Sequence, residues 1–146
     1  MKQRRQKKLS GHLFEAILLG DTARVRALLR SGADPERADG EGTTALYEAS
    51  VSGKAEIVRL LLDAGASPDA ESGGVGAEGT PLCAAACWGH TETVRELLAH
   101  GADPRLREDQ GAGLSPLDWA NAGPHPETAA LLIAAGAAPS EHAARP

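Results

Sequence analysis

The chain has 146 residues and a net charge of −5, and 42% of its residues are hydrophobic although only 3% are aromatic. That length suits one compact domain or a short repeat array with a core of small aliphatic side chains. No segment approaches the roughly 18 apolar residues of a membrane span, and residues 1–10 lack the apolar core of a secretory signal, so a cytoplasmic protein without membrane contact is expected.

Residues 1–8 form a basic segment that holds five of the 15 basic residues of the chain. A terminal run of like charges is typical of a solvated arm, and a basic disordered arm is the prediction for this segment. The rest of the chain has ten basic residues against 20 acidic ones. Because nucleic-acid-binding proteins present basic surfaces to the phosphate backbone, this acidity argues against nucleic acid as a partner.

From residue 9 onward one short phrase recurs four times, at successive spacings of 33, 36 and 35 residues. A fixed period of this size is the signature of stacked supersecondary units, none of which buries its apolar face alone. The phrases are Gly32-Ala33-Asp34-Pro35, Gly65-Ala66-Ser67-Pro68, Gly101-Ala102-Asp103-Pro104 and Gly136-Ala137-Ala138-Pro139.

Each unit contains two predicted helices. The first opens with a hydroxyl residue in three units, as in Thr80-Pro81-Leu82, where the side chain can accept a backbone N–H and proline fits the first helical position. A glycine closes this helix in three units, and Pro124 takes that place in the fourth. The second helix carries an apolar i, i+3, i+4 face. These faces are Val25, Leu28 and Leu29; Val58, Leu61 and Leu62; Val94, Leu97 and Leu98; Ala129, Leu132 and Ile133.

The Thr-Pro-Leu opening, the Gly-His-Thr-Glu segment at residues 89–92, the paired leucines and the Gly-Ala-Asp phrase all fall in register. With these motifs the chain resembles the ankyrin repeat family. The resemblance implies an all-α solenoid of four helix–turn–helix units joined by hairpin-like fingers. The expected repeat domain covers residues 9–139, with repeats at about 9–41, 42–77, 78–112 and 113–139, and a flexible tail at 140–146.

The sequence also departs from the family pattern. The signature histidine is replaced in all four units, so the bonds between neighbouring units are expected to differ from those of the family. The replacements are Phe14, Tyr47, Cys83 and Asp118. The second and third fingers are longer than the first and rich in glycine, which predicts mobile tips.

The resemblance implies that partners bind the concave face, which the first helices and the fingers form. Trp88 and Trp119 fall on this face in neighbouring units, and large aromatic side chains are favoured binding anchors. A competing interpretation takes Trp119 as packing between units and the other residues as ordinary surface. The predicted partner-binding residues are Glu15, Leu19, Glu41, Thr43, Glu48, Val51, Ser52, Cys87, Trp88 and Trp119.

Residues with catalytic chemistry are present, but the architecture brings no serine, acid and histidine to one point, so neither catalytic residues nor a cofactor is predicted. Cys83, Cys87 and His90 could share a helix face as metal ligands. A structural zinc ion needs four ligands, and a fourth is not evident. No metal site is predicted.

The predicted function is therefore a protein–protein interaction module that binds a partner protein in its groove and at its finger tips, in a role such as regulating or stabilising an enzyme. The alternative is an ankyrin-like scaffold whose groove binds a small molecule or has acquired an enzymatic role. A monomer is expected. The fourth unit has Ala130 where the others have arginine, and its apolar outer side is expected either to be covered by the tail after Pro139 or to dock on another molecule.

Overall fold

Short helices alternate with tight turns throughout residues 2–138, the part of the chain that the computed structural model describes. Consecutive helices pack as four pairs, and each pair stacks on the next. The predicted all-α solenoid of four helix–turn–helix units is confirmed. The helices are α1 (Lys2–Leu19), α2 (Thr22–Arg30), α3 (Ala45–Val51), α4 (Ala55–Asp63), α5 (Pro81–Cys87), α6 (Thr91–Ala99), α7 (Pro116–Ala122) and α8 (Pro126–Ala134).

The odd-numbered helices form one layer and the even-numbered helices form the other. Within the described residues, no helix combines the length and the apolar character that crossing a membrane requires. The tail expected at residues 140–146 lies outside the described residues.

The predicted hydroxyl caps start three of the first helices. The side-chain oxygens of Thr44, Thr80 and Ser115 accept the N–H of the residue three positions on, at 3.1, 3.2 and 3.2 Å. At the fourth unit Asp118 completes a capping box, because its carboxylate accepts the Ser115 N–H at 2.9 Å. Asp118 thus uses the place of the family's signature histidine to start its own helix.

The core is the seam between the two helix layers. Val25, Val58 and Val94 are fully buried, and so are the leucines three positions later in the last three units. Ile133 differs from the predicted pattern, because 57% of its surface is exposed on the outer side of α8. Burial of an aliphatic side chain contributes about 1.5–3 kcal/mol, so this seam is the main source of stability.

Neighbouring units are joined at their turns by side chains that reach back to main-chain carbonyls. Lys54 donates through Nζ to the Leu18 carbonyl at 3.2 Å. His90 and His125 donate through Nε2 to the carbonyls of Val51 and Cys87 at 3.1 and 3.0 Å. We call Lys54, His90 and His125 the turn ladder.

A second series of bonds joins the units where the fingers begin. The amide nitrogen of the third phrase residue donates to a side chain of the preceding unit: that of Ser67 to Glu36, and that of Asp103 to Asp69 at 2.9 Å. Further on, Arg105 donates to the Gly136 carbonyl at 3.0 Å. We call these contacts the finger ladder.

The structure corrects the expectation of a disordered arm at residues 1–8, because α1 begins at Lys2. Gln6 accepts the Asp34 N–H at 3.1 Å and donates to the Gly32 carbonyl at 2.7 Å. Gln6 therefore accepts the N–H of Asp34 in the same way that Glu36 accepts the N–H of Ser67. Arg5 donates to the Ser31 carbonyl at 2.9 Å. Basic side chains are favoured there because the end of α2 carries partial negative charge.

The longer fingers contain short regular elements that their glycine content does not predict. In the second, β1 (Ser72–Gly74) and β2 (Ala77–Gly79) form an antiparallel hairpin. In the third, residues Asp109–Gly111 form one turn of 3₁₀ helix. The hairpin also joins the first finger, because the Gly73 N–H donates to the Gly42 carbonyl at 3.0 Å. A Cβ on Gly74 would lie 2.1 Å from Thr43 Oγ1, so this approach requires glycine.

Gly89→Ala is expected to destabilise the fold more than Gly20→Ala. Both residues have φ of +69°, so alanine carries the same backbone strain of about 1–2 kcal/mol at either position. A Cβ on Gly89 would lie 2.5 Å from Nδ1 of His125, whereas a Cβ on Gly20 meets only Lys54 Cε at 3.8 Å. The excess cost at Gly89 should be about 1 kcal/mol, the value of one displaced hydrogen bond. Urea unfolding followed by circular dichroism measures it, and equal costs would contradict the turn ladder's importance.

His100 makes one link between units dependent on pH. It lies at the end of α6, and its Nε2 is 2.8 Å from Oδ1 of Asp63. The Asp63 carboxylate, followed by the Glu96 carbonyl, raises the pKa of His100 above its usual 6.5. A group whose pKa is raised in the folded state stabilises the fold fully below its unfolded pKa and loses that contribution as the pH rises through the folded value.

The wild type should therefore lose more stability than His100→Gln between about pH 5.5 and about pH 8.5. The difference should stay below about 1 kcal/mol because the pair lies near the surface. Urea unfolding at the two pH values measures it. Asp63→Asn serves as the partner control and should flatten the profile as much as His100→Gln; a profile unchanged in both variants would exclude the link.

Candidate functional site

The concave face contains a cavity of about 610 Å³ between α1, α3 and the first two fingers. We number the fingers first (residues 33–43), second (66–79) and third (102–114). Phe14 and Leu18 of α1 line the cavity together with Val75 at the tip of the second finger. Three predicted partner-binding residues also line it, namely Glu41, Thr43 and Glu48. The structure thus brings these three together beside an apolar wall, and the basic residues Lys7 and Arg37 line the same cavity.

Thr43 supports the shape of the first finger rather than offering its side chain to a partner. Its side chain is buried, and its N–H donates to Asp39 Oδ1 at 3.0 Å. Asp39 also accepts the Glu41 N–H at 2.9 Å, so this carboxylate shapes the first finger. Glu41 itself is exposed.

The other predicted residues lie outside this cavity. Glu15 forms an ion pair of 3.3 Å with Arg24, and Leu19 is exposed beside it at the end of α1. Val51 is half-buried, and its carbonyl accepts from His90. Ser52 is exposed and caps α3. These four residues lie along the ends of the first helices, where α1 and α3 reach their turns.

The two tryptophans differ in environment, and their places in the repeat lie one helical turn apart. Trp119 is half-buried, and its indole N–H donates to Oε2 of Glu108 at 3.0 Å. Trp88 caps α5 with 62% of its surface exposed, and its indole makes no hydrogen bond to any described residue. The packing interpretation therefore suits Trp119, whereas Trp88 is available to a partner.

Glu108 is a central residue of the concave face that sequence reasoning missed. Burial raises the pKa of Glu108 above its ordinary 4.5, while hydrogen bonds from Trp119 and Cys83 oppose that rise. A signal was present in the sequence, since Asp39, Ser72 and Glu108 each follow a phrase glycine by seven residues. Ser72 uses this position to accept the Thr44 N–H at 3.2 Å. The recurring polar residue thus marks the side chain that supports each finger.

A second cavity, of about 340 Å³, lies between the second and third fingers. Four carboxylate residues line it, together with Ser72 and Gly79. The carboxylates are Glu71, Glu78, Glu108 and Asp109. The concave face therefore changes from a mixed, partly apolar cavity at the first finger to an acidic one at the third.

Three side chains that could act in catalysis are buried or bonded to the main chain in this fold. Cys83 is buried, and burial is the main reason that its thiol pKa is raised, so it is a poor nucleophile. His90 and His125 donate to carbonyls in the turn ladder. Among residues 2–138, no group of three His, Cys, Asp or Glu side chains is arranged to hold a metal ion.

Comparison with known proteins identifies a matching family and a similar protein. A family model described as ankyrin repeats (3 copies) matches residues 7–72 and 72–142, which is nearly the whole chain. The palmitoyltransferase Hip14 of Drosophila melanogaster is 38% identical over 99 residues. That alignment covers 68% of this chain but only 15% of Hip14.

Glu108→Gln is expected to stabilise the protein at neutral pH. The amide still offers an oxygen to Trp119 but removes a half-buried charge, and a carboxyl with a raised pKa destabilises the fold above that pKa. The gain should be at most about 1 kcal/mol and should shrink as the pH falls towards 4.5. Urea unfolding at several pH values measures it, with the exposed Glu127→Gln as control. A lower stability of Glu108→Gln at neutral pH would contradict this account.

Proposed function

This chain belongs to the ankyrin repeat family, whose repeats generally mediate protein–protein interaction, and from that premise we propose that it binds a partner protein along its concave face and at its finger tips. Regulation or stabilisation of an enzyme is one form that such binding takes. The chain itself is proposed to have no catalytic role.

The observation that carries the proposal is the exposure of large apolar side chains along this face. Leu18 and Trp88 are 64% and 62% exposed, yet Leu18 lies on α1 and Trp88 caps α5, two helices of a packed layer. A rigid aromatic or aliphatic side chain loses little conformational entropy when a partner covers it, so binding is favoured. Trp88 is the proposed anchor of the interface.

The match to Hip14 supports the fold and not the chemistry of that relative. The chain spans 15% of the length of Hip14, and the similarity lies in its ankyrin region. We further propose that the chain acts as a monomer in the cytoplasm, where its two free cysteines, Cys83 and Cys87, would stay reduced.

Trp88→Ala is expected to abolish partner binding without unfolding the protein, because the indole is exposed and unbonded. The test is affinity capture from native lysate with quantitative mass spectrometry, using the full chain as bait. A stoichiometric partner should be retained by the wild type and reduced about 30-fold or more by Trp88→Ala, as for an interface hot spot.

Ile133→Ala is the matched control, since Ile133 is also a large apolar residue and is 57% exposed, but on α8. It should leave the partner bound. Loss of the partner only in Ile133→Ala would move the interface to the fourth unit. Absence of any protein partner, with a small molecule raising the melting temperature, would favour the alternative of a ligand-binding scaffold.

A further inference from the structure

The fingers carry a strong excess of negative charge. Together the three fingers hold ten acidic residues and three basic ones, and the second finger has no basic residue at all. The basic side chains of the third finger are used within the fold, because Arg105 donates to the Gly136 carbonyl and Arg107 to the Gly113 carbonyl at 2.8 Å. Neither forms an ion pair with a carboxylate of the described residues.

Several carboxylates on the concave face form no ion pair, although Lys7 and Arg37 line the same cavity as Glu41 and Glu48. In the part of the chain that the structure describes, the side chains of Glu41, Glu48, Glu78 and Asp109 make neither a hydrogen bond nor an ion pair. On the second helices, in contrast, several charged side chains form ion pairs. There Arg26 pairs with Glu56 at 3.6 Å, and Arg95 pairs with Glu92 at 3.2 Å. Carboxylates without an ion pair therefore line both cavities of the face proposed to bind a partner.

Carboxylates of three different elements act electrostatically on one residue, Tyr47. Tyr47 on α3 is buried, and burial is the largest cause of its raised pKa. Glu108, Glu78 and Glu48 raise it further by repelling the phenolate. These carboxylates come from the third finger, the second finger and α3. Three separate elements thus direct negative potential at one place.

Apolar surface lies directly beside this charge. The cavity lined by Glu41 and Glu48 has Phe14 and Leu18 on its wall, and the tip residue Val75 is 93% exposed at its edge. A purely cationic ligand would leave this apolar surface in water, and a purely apolar ligand would bury carboxylates without partners, which is costly. The surface therefore matches a ligand that offers both kinds of group.

We infer that the partner enters the groove with a cationic segment, a stretch of protein chain in which Lys or Arg side chains flank at least one bulky apolar residue. This inference rests on the proposed function. The apolar side chain occupies the cavity at the first finger, and the cationic side chains meet the carboxylates of the second and third fingers. Such complementarity speeds association and excludes acidic partners.

A library of random dodecapeptides displayed on phage, selected on the immobilised full chain, tests the chemistry without assuming a partner. Enriched peptides should be cationic and should contain a bulky apolar residue. Their affinity, measured by fluorescence anisotropy, should fall as NaCl is added, because exposed charges are screened.

The triple variant Glu41→Gln, Glu48→Gln and Glu78→Gln should weaken an enriched peptide about tenfold, as expected from three lost surface ion pairs. The matched control is Glu56→Gln, Glu92→Gln and Glu127→Gln, which removes the same charge from the second-helix layer. It should change the affinity by less than about twofold. Equal weakening by the two triples would overturn the inference, because the net charge rather than the groove would then govern binding.

Other outcomes separate this inference from the proposed function. Neutral or acidic peptides that are lost on Trp88→Ala would leave the groove as a binding site but overturn the inferred chemistry. Absence of any enriched peptide would also overturn the inference of a cationic segment. The partner-capture experiment tests separately whether the groove binds a protein. A salt-sensitive dimer in light scattering, abolished by the groove triple, would identify the basic start of α1 from a second copy as the occupant and would equally overturn the inference.

Discussion

Helices of seven residues leave at least as many main-chain groups unpaired as they pair, because the first four N–H groups and the last four carbonyls of a helix lack internal partners. The first helices α3, α5 and α7 are all of this length. The groups at their starts are satisfied locally by hydroxyl caps. At their ends most carbonyls accept N–H groups of the same turn, as Ala49 accepts from Lys54. In α3 and α5 one terminal carbonyl is left for the turn-ladder side chain of the next unit, as Val51 is for His90.

The groove depends on this cross-unit bonding. The turn ladder and the finger ladder hold consecutive units at both ends of their helices, so the first helices and the fingers stay in register. The bond between Gly73 and Gly42 extends this order to the finger tips, where two backbones touch. Exposed residues such as Leu18 and Trp88 therefore project from a stiff surface. The carboxylates of the fingers are similarly held near one another despite their mutual repulsion.

Much of the fold follows from the sequence because the period, the caps and the apolar faces are local signals that repeat. The parts that were mispredicted depend on contacts between distant residues. Residues 1–8 resemble a disordered arm until Gln6 is seen to bond with Asp34, 28 positions away. The glycines of the second finger suggest mobility, but Gly74 is there because Thr43 leaves no space for a Cβ. The repeat places Trp119 one helical turn earlier than Trp88, but it does not show that Glu108, eleven residues before Trp119, accepts its indole N–H.

The chemistry of the turn ladder also bears on how such an array can change over generations. Its donors are side chains, Lys54, His90 and His125, but its acceptors are main-chain carbonyls, which every residue possesses. A unit therefore accepts a following neighbour whatever side chains it carries at the acceptor positions. At the turn ladder, duplication, loss or exchange of whole units therefore needs no compensating change of acceptor side chain, unlike at the finger ladder, where Glu36 and Asp69 are the acceptors. The residues at Leu18, Val51 and Cys87, where those carbonyls lie, are free to diversify towards new partners while the stacking between units is preserved.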